Sequence, residues 1–368
     1  MKKFFVLVFV VILFPIFGIS AHAEDIYAET SAAFGADTLD DILSRDEKEI
    51  IGELKLDGNY DAGGALARLW RSFLSSLVDE IRKNLDYCTG LIAIALFTAV
   101  GGTLCSSKNI SNFIEILGCG STAAFMLGGM NSIVSQTVDA LYRLSDYSKA
   151  ALPVIFTASA ASGAVTSSAA KFAAVSFALD VLMSISQKII IPVIYAYLAL
   201  TLSSSMFPNP ILNGIHKLCK WAAVTMMTGM TLAFTTYISM VGAIGAAVDT
   251  SAVKTVRSFI SGTLPVVGGM ISDASAMVLS AAGVVKNCAG VFGLIAVAVM
   301  CTAPFALLSV KMLFLKAVSA ISDSMESKRL TSLFSGLGST MGLLLGLLGS
   351  CGIMLFISLT AGMKAVSI

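Results

Sequence analysis

The sequence predicts an all-α membrane protein that crosses the bilayer several times, and three observations predict it. Of its 368 residues 56% are hydrophobic and only 13% are charged, against about 25% charged in soluble domains. Apolar blocks long enough to span a bilayer follow one another from Cys88 onward with short polar breaks. The near-zero formal charge of +1 also hides an asymmetry, because residues 24–64 hold twelve acids and three bases while the rest of the chain is mildly basic. Such a split places an acidic extramembrane segment ahead of a membrane body with basic loops. No dense Lys/Arg stripe with interleaved aromatics occurs, so nucleic acid is not an expected partner.

The first element is the start, MKKFFVLVFVVILFPIFGISAHAED. Lys2 and Lys3 form a basic region, Phe4 to Ile19 an apolar run, and Ala21-His22-Ala23 an A-x-A cleavage site. Residues 1–23 therefore read as a secretory signal peptide, with an uncleaved first transmembrane helix as the alternative. Cleavage leaves a mature N-terminus at Glu24 outside the cytoplasm. Residues 24–61 are acidic and poorly periodic, with a short helix expected around 38–54.

Residues 62–86 come next. Leu66, Leu69, Trp70, Phe73, Leu74, Leu77, Val78, Ile81 and Leu85 recur at three- and four-residue steps, with Arg68, Arg71, Arg82 and Lys83 on the other side. That pattern predicts an amphipathic interfacial helix leading into the first span, or else a core helix of a small soluble domain.

Residues 87–368 form the multi-pass domain. Spans are expected near 88–105, 112–134, 151–169, 189–206, 221–247, 263–285, 288–310 and 338–363. The segments 171–187, 248–261 and 311–336 are amphipathic. If none of these crosses, there are eight spans, and Lys254, Arg257, Lys311, Lys316, Lys328 and Arg329 share the cytoplasmic side. If 171–187 crosses, the later loops exchange sides and Lys217 and Lys220 become cytoplasmic. The expected count is thus seven to nine.

Two stripes of small residues read as helix-packing surfaces, within the chain or between copies. Gly338, Gly342, Gly346 and Ser350 recur every four residues, which lets helix backbones approach closely in lipid. In TLPVVGGMISDASAMVLSAAGVVKN, Gly269, Asp273, Ala276, Ser280 and Gly283 alternate steps of four and three. Asp273 is then an acid within a span on a face that meets protein or water. Asp180 is a second such acid, on a polar stripe with Ser176, Ser184 and Gln187. An intramembrane carboxylate is a functional candidate, either pore-facing or an ion site. The alternative is a satisfied structural hydrogen bond, or a helix lying at the membrane interface. Pro153, Pro192, Pro265 and Pro304 are candidate helix breaks, as in transporter sites, although proline is common in membrane helices generally.

Several chemistries find no residues. Neither Asp sits in the G-x-G-D context of a membrane aspartyl protease. His216, in FPNPILNGIHKLCK, is the only histidine after the signal segment and reads as a loop surface residue, which leaves Gly118-Cys119-Gly120-Ser121 without a base. There is no G-x-x-x-x-G-K-[ST], so an energy source would have to come from a partner. Seven singly placed cysteines outline neither a disulfide framework nor a zinc site, and no cofactor is expected.

The run from Ser258 to Ser324 is similar to the C-terminal region of the stage III sporulation protein AE family. The resemblance is carried by Phe259 to Gly268 (FISGTLPVVG), the Ser272-Asp273 pair and Val285-Lys286-Asn287. YSKAALPVIFTASAASGAVTSSA, residues 147–169, also resembles that family. The resemblance implies a non-enzymatic, polytopic subunit made in the mother cell of an endospore-forming bacterium. It implies membership of a channel, or feeding-tube, assembly between mother cell and forespore that supports forespore maintenance and late gene expression. Implied partners are a secretion-type ATPase, other membrane subunits, ring-forming proteins, and stage II sporulation protein Q on the forespore side. The family's motif positions carry no catalytic role to transfer. The rival expectation is a stand-alone secondary transporter whose coupling ion binds Asp180 and Asp273.

Overall fold

The computed structural model describes residues 39, 42–44, 47–48, 51, 62–104, 107–162, 165–207, 209–263 and 268–363, with side chains from 243 to 281 outside the description. Within them the chain is all-α. Helix α1 spans Ala62–Leu104 in 43 residues, so the amphipathic segment and the first expected span are one uninterrupted helix. No proline falls between them to break it. Helix α2 runs Lys108–Ala161, 54 residues, after an N-cap at Ser107. Its parts Asn109–Met126 and Gly128–Ala161 meet at 44°, at the Gly128-Gly129 pair. The helix continues through Pro153.

Helix α3, Val165–Ile185, passes through a π turn at Ser186–Ile190 into α4, Ile191–Met206. Pro192 explains the turn, since it cannot donate to Lys188 four residues back. The widened turn lets the Ile191 N–H bond to the Ser186 carbonyl instead. Helix α5 spans Pro210–Thr263, α6 Gly268–Ser324 and α7 Lys328–Met363. The expected spans 263–285 and 288–310 thus lie largely on one helix, which also runs on through Pro304. Between α6 and α7 the chain reverses within Met325–Ser327, where Glu326 takes a left-handed φ of 58°.

The helices alternate in direction. The α1/α2, α4/α5 and α6/α7 reversals lie at one end, which is called the hairpin end. They are held there by Arg329, which pairs with Glu115 at 3.3 Å and donates to the Met206 carbonyl at 2.8 Å. Lys217, Lys220, Lys316, Lys328 and Arg329 therefore belong to the same half of the bundle, where both sequence-based arrangements divide them.

Helix α7 is the axis. It packs most extensively on α6 and also on α2, α5 and α4, and most of its residues are buried. Among the described residues five stretches are long and apolar enough to cross a membrane: Ala67–Gly102, Ser168–Met206, Pro210–Gly242, Val285–Ser324 and Lys328–Met363. The bent pair in α2 makes a sixth if it counts as one span. The chain is thus a polytopic helical membrane protein.

Ahead of the bundle, Leu39, Leu43 and Ile51 are buried. The Ser44 N–H donates to Glu47 Oε2 at 2.8 Å and the Glu47 N–H to Ser44 Oγ at 3.4 Å. This is a reciprocal capping box. Glu47 also pairs with Arg143 of α2.

Candidate functional site

The most developed polar cluster among the described residues lies where α4, α5 and α7 meet. Pro210 starts α5 and Asn209 Oδ1 accepts the Ile211 N–H at 2.9 Å, so the helix begins six residues before His216. The imidazole is consequently not on a loop, as the sequence predicts, but on a helix face turned toward α4. It stacks on Tyr197 with ring centroids 4.3 Å apart and planes 15° from parallel. Its Nε2 lies 2.9 Å from Thr201 Oγ1. The Thr201 hydroxyl already donates to the Tyr197 carbonyl, also at 2.9 Å. A hydroxyl has one proton, so Nε2–H is the donor in the His216–Thr201 bond. One helical turn on, Lys220 Nζ donates to Ser339 Oγ of α7 at 3.1 Å. The stem of Lys316 lies beside Gly338, the neighbour of Ser339.

This arrangement orients an imidazole and brings the Lys220 ammonium and the Lys316 stem to adjacent residues of the axial helix. No carboxylate is hydrogen-bonded to the His216 ring among the described residues, so a serine-type relay is not assembled there. Nor do the described residues contain a group of three His, Cys, Asp or Glu side chains able to hold a metal ion. The geometry is that of a helix–helix fastening.

The sequence-predicted residues fall elsewhere. Asp180 is exposed on α3, with Ser176 and Ser184 half-buried beside it. Asp273, Gly269 and Ser280 lie on the first turns of α6, but their side chains are outside the described residues, as is Pro265 altogether. The pairing of Asp180 with Asp273 that the transporter expectation requires therefore lies outside the described residues. The glycine ridge of α7 faces its own chain. A Cβ at Gly338 would touch Leu315 and Lys316 of α6 at 3.5 Å, and one at Gly346 would touch Met227 of α5 at 3.8 Å. Gly342 is half-buried and Ser350 buried, the latter donating to the Gly346 carbonyl at 2.8 Å.

Two contacts went unread in the sequence. Gly336 passes so close to Thr201 that a Cβ there would lie 2.3 Å from Cγ2. Ser186, in the π turn, lies 3.5 Å from Cys351 Sγ of α7. The Lys-Ile-Ile-Ile-Pro run was a legible signal for the second, since a proline inside an apolar helix forces a local adjustment.

The segment carrying these contacts, from Glu47 through α7, coincides almost completely with one family. The sequence profile described as stage III sporulation protein AE matches residues 48–365. The chain belongs to the stage III sporulation protein AE family. Its relative of that name in Bacillus subtilis (strain 168) is 22% identical over 295 residues, covering 79% of this chain and 73% of the relative. No solved structure matches the chain. The family match includes both Glu115–Arg329 and the α4/α5/α7 seam, so the bundle as a whole, not a single loop or pocket, is what the family shares in extent.

Proposed function

We propose that this member of the stage III sporulation protein AE family is a membrane platform, of the export-gate type, in the channel assembly between mother cell and forespore. The single observation carrying this reading is the family match over residues 48–365. The architecture supports it. A bundle whose axial helix is buried by its own neighbours has a self-sufficient core, leaving the outer helices α1, α3 and α5 free to meet other subunits. The partners in this reading are a secretion-type ATPase, further membrane subunits, ring-forming proteins and stage II sporulation protein Q. The protein sits in the mother-cell membrane around the forespore, with the signal peptide removed and the acidic N-terminal segment extracytoplasmic. Its role is forespore maintenance and late forespore gene expression. The crossing count is taken as six rather than seven to nine, because α2 and α6 each run continuously where two spans are expected.

The test pairs genetics with reconstitution. Deleting the gene in its spore-forming host should block sporulation after engulfment, and the tagged protein should co-purify with the ATPase and membrane subunits. Purified protein that moves a substrate across liposomes by itself, with no partner, would establish the transporter reading instead.

A further inference from the structure

The outer surface of α2 changes character sharply at one level. Between Asn131 and Lys149 its exposed residues are Asn131, Ser132, Ser135, Gln136, Asp139, Tyr142, Arg143, Asp146 and Lys149. None is aliphatic. The opposite face holds Ile133, Val134, Leu141 and Leu144, all buried. A helix that is apolar inward and uniformly polar outward is built for water, not acyl chains.

On the hairpin side of the bend the pattern inverts. Ile110, Phe113, Leu117 and Phe125 of α2 are exposed, as are Leu96, Phe97, Val100 and Leu104 of α1, with Phe97 81% and Leu104 79% exposed. On α1 the change is partial: before Tyr87 the exposed face mixes Arg68, Arg71, Asp79, Arg82, Lys83 and Asp86 with Trp70, Leu74, Val78, Ile81 and Leu85, whereas from Leu91 to Leu104 the exposed residues described are Leu96, Phe97, Val100 and Leu104. Tyr87 stacks on Phe125 at 5.1 Å and approaches the Gly129 position at 3.8 Å. Lys311 of α6 lies over the Tyr87 ring at 4.1 Å. Tyrosine and lysine at such a boundary are interfacial anchors. From that level to the hairpin turn, Asn109–Met126 rises about 27 Å, close to the roughly 30 Å of a hydrocarbon core. On α3 and its π turn the exposed residues mix Asp180 and Lys188 with Phe177, Val181 and Ile189, so the sharp polar face belongs to α2.

We infer that the bilayer's hydrocarbon meets α1 and α2 along Leu96–Leu104 and Ile110–Phe125, and that the α2 face from Asn131 to Lys149 stands in water on the side of the N-terminal segment. Two further facts fit. Glu47 of that segment pairs with Arg143, a contact between a polar extramembrane stretch and the polar face. The length of α2, 54 residues, is about 80 Å, far more than a bilayer core accommodates. The strongly apolar stretches of α6 and α7 beyond the boundary are enclosed by other helices and need no lipid.

The experiment uses the full-length chain in its host's membranes, with native cysteines replaced and sporulation retained as proof of folding. Single cysteines at Ser135, Asp139 and Asp146 are compared with ones at Phe97 and Phe113. Each is treated with a small membrane-impermeant maleimide and with a maleimide carrying a polyethylene glycol chain of several kilodaltons. The expected result is that the first three react with both reagents from the extracytoplasmic side, while Phe97→Cys and Phe113→Cys react with neither. Reaction of the α2 positions with the small reagent alone would mean a confined aqueous conduit and overturn the inference. No reaction there would mean burial against lipid or protein, and ready labelling at Phe97→Cys would mean that the hairpin half is not in the bilayer. Each of these also overturns it.

Discussion

Gly336 of α7 and Thr201 of α4 touch so closely that a methyl group on Gly336 would fall 2.3 Å from Thr201 Cγ2 and 3.2 Å from its Oγ1. Thr201 cannot rotate away cheaply, because its hydroxyl is fixed between the Tyr197 carbonyl and His216. Gly336→Ala should therefore destabilise the bundle by about 1–3 kcal/mol, the usual cost of overpacking, despite alanine's better helix propensity. Thr201→Ser removes the clashing Cγ2 and keeps the hydroxyl, so the double variant should recover most of the loss. Thermal unfolding of the four proteins in detergent reads this directly. A double variant no more stable than Gly336→Ala alone would sink the assignment.

Arg329 is the fastening of the hairpin end, and its two arms do different things. One neutralises Glu115 and the other satisfies a terminal carbonyl of α4 at Met206. Both carboxylate and guanidinium are only about one-fifth exposed, at 22% and 20%. Arg329→Ala leaves a poorly solvated acid and an unbonded helix end, and should cost about 1–3 kcal/mol. Arg329→Lys retains the charge but has no fork to reach both partners, so it should fall between wild type and alanine. Glu115→Gln can still accept a hydrogen bond and should cost least. Midpoints of heat-induced aggregation, ranked across the three variants, test that order.

Glu326 sits at φ 58° in the reversal between α6 and α7, a conformation that L-residues with a Cβ adopt at a cost of roughly 1–2 kcal/mol. Its neighbours Ser327 and Lys328 close the turn onto the Ser322 and Glu326 carbonyls at 3.2 and 3.0 Å. Glu326→Gly should therefore stabilise the protein by up to about 1 kcal/mol, after the added entropy of the unfolded glycine is deducted. A lowered unfolding temperature in this variant would contradict it.

Much of this fold was legible in the sequence, and the misreadings share one cause. Apolar composition gave the all-α membrane class, and the four-residue glycine step of Gly338 to Gly346 marked the helix that became the axis. Segment lengths were misread because a 20-residue hydrophobic window looks the same whether it is a span or part of a longer helix. Val285-Lys286-Asn287 looked like a break between spans, yet α6 continues through it, with Lys286 buried against other helices. Pro153 and Pro304 likewise sit within continuous helices, because packing against neighbouring helices tolerates the one N–H···O bond that each proline leaves unmade. His216 was misassigned because Pro208 and Pro210 signal a loop, whereas a proline at the first helical position begins a helix. The seam it forms depends on Tyr197 and Thr201 arriving from another helix, which no local pattern encodes.

The two acids singled out in the sequence now differ in what is expected of them. Asp180 is exposed on α3 and makes no hydrogen bond or ion pair among the described residues, so Asp180→Asn should leave both membrane abundance and sporulation unchanged. Asp273 lies on the second turn of α6 in a stripe with Gly269, Ala276 and Ser280. Asparagine there preserves hydrogen bonding and removes only charge, so Asp273→Asn should keep normal abundance while lowering spore yield if the carboxylate acts in gating or conduction. Immunoblots of membrane fractions and heat-resistant spore counts give the two readouts separately. Wild-type spore counts for Asp273→Asn remove the ion-site role. A drop in abundance instead would make Asp273 a packing residue whose charge is satisfied inside the protein.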